Sequence, residues 1–121
     1  MLQAALATLH GRRMVAQPVE TLRVTYVGPD LSVLGTMEHT SGLRDAVVMP
    51  FREIVADALR LGATALVLGH NHPSGDPTPS RRDIMATHQL ARIVQPLGIR
   101  MHDHVIEAVG GHFSFREAGL I

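Results

Sequence analysis

The chain has no cysteine and no tryptophan, and only one tyrosine and three phenylalanines among its 121 residues. Without cysteine there is no disulfide framework, no thiolate metal site and no cysteine nucleophile. That absence accords with a reducing, cytoplasmic setting. With so few aromatics the interior has to be built from Val, Ile, Leu, Met and Ala. An excess of one charge is lacking too, since 11 basic residues face 11 acidic ones. A dedicated nucleic-acid binder carries a basic excess that neutralises phosphates; here a local pair such as Arg81-Arg82 leaves room only for weak nucleic-acid association. The segment Met1 to Gly11 lacks the basic-then-apolar order of a secretion signal. No run is long and apolar enough to span a bilayer, so no membrane role is expected.

What is present is a 45% hydrophobic composition, enough for one packed domain and against wholesale disorder. Leu2 to Ala16 has apolar residues at helical spacing and reads as a short helical lead-in over 1–17, broken at Gln17-Pro18. In Glu20 to Val27, Leu22, Val24 and Tyr26 alternate with Thr21, Arg23 and Thr25, which predicts a half-buried strand. Gly28-Pro29-Asp30 is a turn signal, and Leu31 to Thr36 reads as the hairpin partner, its pattern continuing toward Glu38. His39 to Asp45 reads as a loop and Val47 to Met49 as a short strand. Phe51, Ile54, Val55, Ala58 and Leu59 recur at helical spacing up to a Gly62 cap. Ala63 to Leu68 is a continuous apolar run of strand length, expected to be buried on both faces. A Pro/Gly-rich loop spans His70 to Pro79. Ser80 then looks like an N-cap, with Asp83 in the capping-box position before the helix Ile84 to Val94. Ile99 to Val109 and His112 to Phe115 read as strands flanking Gly110-Gly111. Strands alternating with two substantial helices predict an α/β sandwich with a mixed sheet over 18–121.

Histidine carries the chemistry. Eight are present, and His70/His72 and His102/His104 occupy alternate positions. The first pair follows the buried strand directly, where a turn of the chain would let both imidazoles converge on one ion. Asp83, in the first turn of the next helix, can approach from a third direction. Two neutral imidazoles and a carboxylate suit zinc and leave a fourth position open. Ser80, beside them at a helix start, could donate a hydrogen bond to a developing oxyanion, although capping alone also explains it.

The order His-x-His, seven residues, Ser, two residues, Asp is matched without gaps by His70, His72, Ser80 and Asp83. It resembles the JAMM motif of the MPN-type zinc metalloproteases. Within that superfamily the fuller string HNHPSGDPTPSRRD is similar to the RadC family. Gly35-Thr36, PFREI at Pro50 to Ile54, DHVI at Asp103 to Ile106 and SFREAGL at Ser114 to Leu120 support the likeness, which runs from about Pro18 to the C-terminus. The resemblance implies a cytidine-deaminase-like α-β-α sandwich with a mixed, curved sheet, and one zinc ion. It also implies a glutamate general base on an early strand. Glu20 matches that position, with Glu38 as first competitor and Glu53 as second.

RadC-like proteins commonly carry a helix-hairpin-helix region before the metal domain, and residues 1–17 are too few for one, so the DNA-repair association is carried over least. Asn71 is expected to orient the loop by hydrogen bonds. Pro73, Pro77 and Pro79 stiffen that loop, and Gly75 supplies a backbone conformation other residues resist. His104 is expected to pack near the site and His102 to be exposed. The leading expectation is a zinc-dependent hydrolase that cuts a peptide or isopeptide bond in a peptide or protein substrate. The competing readings are a nucleic-acid-associated module and a non-catalytic interaction domain that retains its zinc. An uncovered sheet edge could take an extended peptide or pair two copies into a homodimer.

Overall fold

A computed structural model of the chain describes residues 18–40 and 48–121. The helix expected over Leu2 to Ala16, and with it the division at residue 17, lies outside the described residues.

Strand β1 (Thr21–Val27) and strand β2 (Val33–Thr40) form an antiparallel hairpin. Its turn closes with Gly28 N–H donating to the Ser32 carbonyl at 2.9 Å. The alternation in β1 sends Leu22, Val24 and Tyr26 into the core as expected. The other face was expected to meet solvent, but Thr21, Arg23 and Thr25 are buried as well. β1 is an interior strand, paired on one side with β2 and on the other with β3. Arg23 meets the carboxylate of Glu38 across the hairpin, which makes its burial tolerable. β2 runs on to Thr40, so His39 and Thr40 belong to a strand rather than a loop.

Helix α1 (Phe51–Leu61) buries Ile54 and Ala58 and ends at Gly62, whose φ of 70° is the left-handed C-terminal conformation that glycine adopts most cheaply. The short strand expected before it is not formed at Val48 and Met49. Strand β3 (Ala65–Asn71) leads to helix α2 (Arg81–Val94), a single 3₁₀ turn (Gln95–Leu97), strand β4 (Arg100–Ala108) and strand β5 (Gly111–Ser114).

The sheet order is β2-β1-β3-β4-β5. Among the described residues only β3 and β4 run parallel, and the chain returns between them through α2, the crossover that a parallel pair requires. The result is the α/β class with a mixed sheet. Helices α1 and α2 share one aliphatic core with β1, β3 and β4, centred on Leu22, Ile54, Leu66, Leu68, Leu90 and Val94. No helix among the described residues is long and apolar enough to cross a membrane.

Candidate metal centre

β3 does not stop at Leu68 but continues through Asn71, and the His72 N–H still donates to the Glu107 carbonyl of β4 at 2.8 Å. His70 and His72 therefore need no turn to converge. In an extended chain, residues two apart share a face. Their rings lie 4.9 Å apart, with the two Nε2 atoms at 3.0 Å.

Asp83 reaches the same point from the start of α2. Ser80 caps the helix, its Oγ accepting the Asp83 N–H at 3.0 Å. Asp83 Oδ2 in turn accepts the Ser80 N–H at 2.9 Å, which completes the expected capping box. The same Oδ2 lies 3.1 Å from His72 Nε2 and 3.6 Å from His70 Nε2. Capping thus holds this carboxylate at a fixed angle to the imidazoles.

The fourth member is Glu20. Antiparallel pairing sets Leu22 opposite His70, so two residues back along β1 the chain passes His72. Glu20 Oε1 lies 3.3 Å from His72 Nε2 and 3.5 Å from His70 Nε2, in a side chain that is 1% exposed. Glu38, held on β2 by Arg23, and Glu53, in the first turn of α1, are both placed elsewhere. Asn71 explains how Glu20 is aimed. Its Oδ1 accepts the Thr21 N–H at 2.7 Å and its Nδ2 donates to the Val19 carbonyl at 2.9 Å. The residue between the two histidines thereby grips the backbone on both sides of Glu20.

The donor set fits a cation. His72 Nδ1 lies 2.8 Å from the Asp76 carbonyl, an atom that only accepts, so Nδ1 carries the proton. In the neutral ring this leaves a lone pair on Nε2, facing the His70 nitrogen and two carboxylates. Such a convergence of electron pairs calls for positive charge between them. The five separations above run from 3.0 to 3.6 Å. Any two ligand atoms placed tetrahedrally at about 2.0–2.1 Å from one ion would stand roughly 3.3–3.4 Å apart, whether three or four of these residues bind it. Glu20, His70, His72 and Asp83 could together hold a metal ion.

The electrostatics agree. Burial pushes His70 below the ordinary histidine value. Burial also acts to lower His72, but hydrogen bonds to Asp83 and the Asp76 carbonyl and the charges of Asp83 and Glu20 outweigh it and raise that group. Burial would raise the Asp83 carboxyl, yet the two imidazoles and the Ser80 N–H hold it well below the usual carboxylate range.

His72, Ser74, Asp76, Thr78 and Ser80 line a cleft of about 170 Å³, which His72 joins to the cluster. Gly75 closes its loop at φ 94°, a left-handed conformation as expected. Its carbonyl accepts the Gly110 N–H at 2.9 Å, and a Cβ on Gly110 would stand 2.5 Å from that oxygen. Gly110 is thus needed for the close approach of the β4–β5 turn to the loop. His104 lies behind His70, while His102 is half-buried rather than exposed. Thr87, absent from the sequence reading, touches His104. It sits at a helical position that reads only as interior.

A β3 histidine pair, a capped aspartate and a glutamate on the neighbouring antiparallel strand define a metal-site domain of the JAMM/MPN type. A family model described as "RadC-like JAB domain" matches residues 2–120. The chain is 41% identical over 119 residues to a "UPF0758 protein" of Rhodobacter capsulatus, covering 98% of this chain and 55% of that protein. It spans about half the length of that relative. The chain belongs to the RadC family.

Proposed function

We propose that the domain is a zinc-dependent hydrolase that cleaves a peptide or isopeptide bond. The observation that carries this reading is the meeting of two imidazole nitrogens and two carboxylate oxygens beside a cleft that His72 lines. His70, His72 and Asp83 would hold the ion. Zinc bound there supplies Lewis acidity, polarising a carbonyl and making water a stronger acid near neutral pH.

The chain's own residues do the rest. Glu20, on the separate strand β1, accepts the proton of the attacking water at Oε1 and returns it to the departing amine. Its burial and the Asn71 grip keep that oxygen aimed during both transfers. Ser80 Oγ accepts from the Asp83 N–H, so its own proton is left to donate toward the cleft, where a carbonyl oxygen gaining negative charge would sit. The loop from His72 to Ser80, stiffened by Pro73, Pro77 and Pro79, forms the wall over which an extended substrate would pass.

The test separates a base from a ligand. Glu20→Gln should keep its zinc and lose about 10²- to 10⁴-fold in cleavage rate, measured as metal content beside turnover of a peptide-amide panel. Loss of zinc in that variant would make Glu20 a ligand, and retained turnover would remove it from the reaction.

A further inference from the structure

The contacts behind His70 form a closed circuit. His70 Nδ1 lies 2.6 Å from His104 Nε2, and His104 Nδ1 lies 2.7 Å from Thr87 Oγ1. Thr87 Oγ1 lies 2.7 Å from the carbonyl of Asp83, one turn back along α2. Proton positions follow from the far end. A backbone carbonyl only accepts, so the Thr87 hydroxyl donates to Asp83. Its oxygen then accepts from His104 Nδ1–H, which in the neutral ring leaves a lone pair on His104 Nε2. That lone pair accepts from His70 Nδ1–H, and His70 is left with its lone pair on Nε2, facing the cluster.

We infer that His104 and Thr87 are positioning residues that fix the tautomer of His70 and tie it to Asp83, so that two ligands from different elements are aligned before any metal arrives. This rests on the reading of His70 and Asp83 as ligands. The circuit is buried throughout: His70, Thr87 and His104 are at most 1% exposed. That burial keeps bulk solvent away from its bonds. His104 also stacks on Phe115, with ring centroids 4.6 Å apart and planes 9° from parallel, which holds the ring against rotation.

The backbone is arranged for this purpose. Leu66 pairs with Met101, but Val67 pairs with Asp103, so His102 is an extra residue in β4. Without that bulge, Met101 and His104 would point to opposite faces of the strand. With it, Met101 enters the helix-side core and His104 still faces His70 from the same side. Bulges re-aim side chains in this way beside functional sites. The adjacent Asp103 locks the irregularity, accepting the His104 and Arg116 N–H groups at 2.7 and 3.0 Å and the Ser114 hydroxyl at 2.6 Å.

The experiment uses the whole chain, zinc as the probe, and three variants. Thr87→Val removes one oxygen at nearly constant shape, Thr87→Ser restores it, and His104→Phe removes the middle of the circuit. Long-range ¹⁵N–¹H spectra of the metal-free protein should show His70 as the Nδ1–H tautomer, and a mixture of tautomers in Thr87→Val. Zinc affinity, measured by chelator competition, should fall about 10- to 100-fold in Thr87→Val and His104→Phe, the range for groups that orient ligands. It should recover in Thr87→Ser. If wild type binds zinc and Thr87→Val binds it as tightly with His70 unchanged, the positioning role is overturned. If wild type binds no zinc, the failure lies in the ligand assignment beneath it.

Discussion

At the scale of single residues, the centre is governed by how few alternatives each polar group has. Asn71 spends both ends of its amide on the peptide groups flanking Glu20. Asn71→Ala leaves those buried groups unmatched, which costs about 1–3 kcal/mol of stability. It should lower kcat more than it raises KM, because Glu20 loses aim while His70, His72 and Asp83 are untouched. Zinc content near that of wild type, beside reduced kcat, is the expected pair of results. An equal loss of zinc would show instead that Asn71 supports the whole cluster. The spacing of His70, His72, Ser80 and Asp83 was legible because all four lie within one short stretch. Glu20 lies fifty residues from His70 and has no local signature of its own. The family likeness put it ahead of Glu38 and Glu53, and the antiparallel pairing of β1 with β3 is what brings it to the histidines.

At the scale of elements, α2 carries two duties at its first turn. Ser80 is both the cap and the proposed oxyanion donor, and substitutions separate the roles. Ser80→Ala should lose about 1 kcal/mol in urea unfolding through the missing cap, and a further 10²- to 10³-fold in turnover if the hydroxyl steadies the oxyanion. Ser80→Asp offers a capping oxygen and no proton to donate, so it should regain stability and not turnover. Recovery of both would reduce Ser80 to a cap. The cap itself was visible in Ser80 and Asp83, as were the helix Phe51–Leu61 and its Gly62 terminus. The extension of β3 through Asn71 was not, because glycine, proline and histidine there read as loop chemistry. In fact the ladder to β4 carries the backbone past His70, and this delivers both imidazoles to one side. The bulge at His102 was equally hidden, since a one-residue slip leaves no mark on hydrophobic periodicity.

At the scale of the whole molecule, the alternation of strands and helices made the α/β class and the mixed sheet readable. Burial was less so. The alternation in β1 suggested one wet face, whereas Thr21, Arg23 and Thr25 are buried as well. That interior strand is also what makes the site. Glu20 sits at the buried start of β1, His70 near the end of the strand beside it, and Asp83 at the mouth of the helix that follows. One crossover and one antiparallel pairing collect groups from distant parts of the chain into a single cluster. The account turns on that cluster binding zinc. The most direct test is metal content by mass spectrometry on protein purified without chelator, for wild type and for His70→Ala, His72→Ala and Asp83→Asn. The account predicts about one zinc ion per wild-type chain and its loss from each variant, read beside circular dichroism so that metal loss is told from unfolding. A wild-type chain without stoichiometric zinc, or variants that keep it in full, would contradict it.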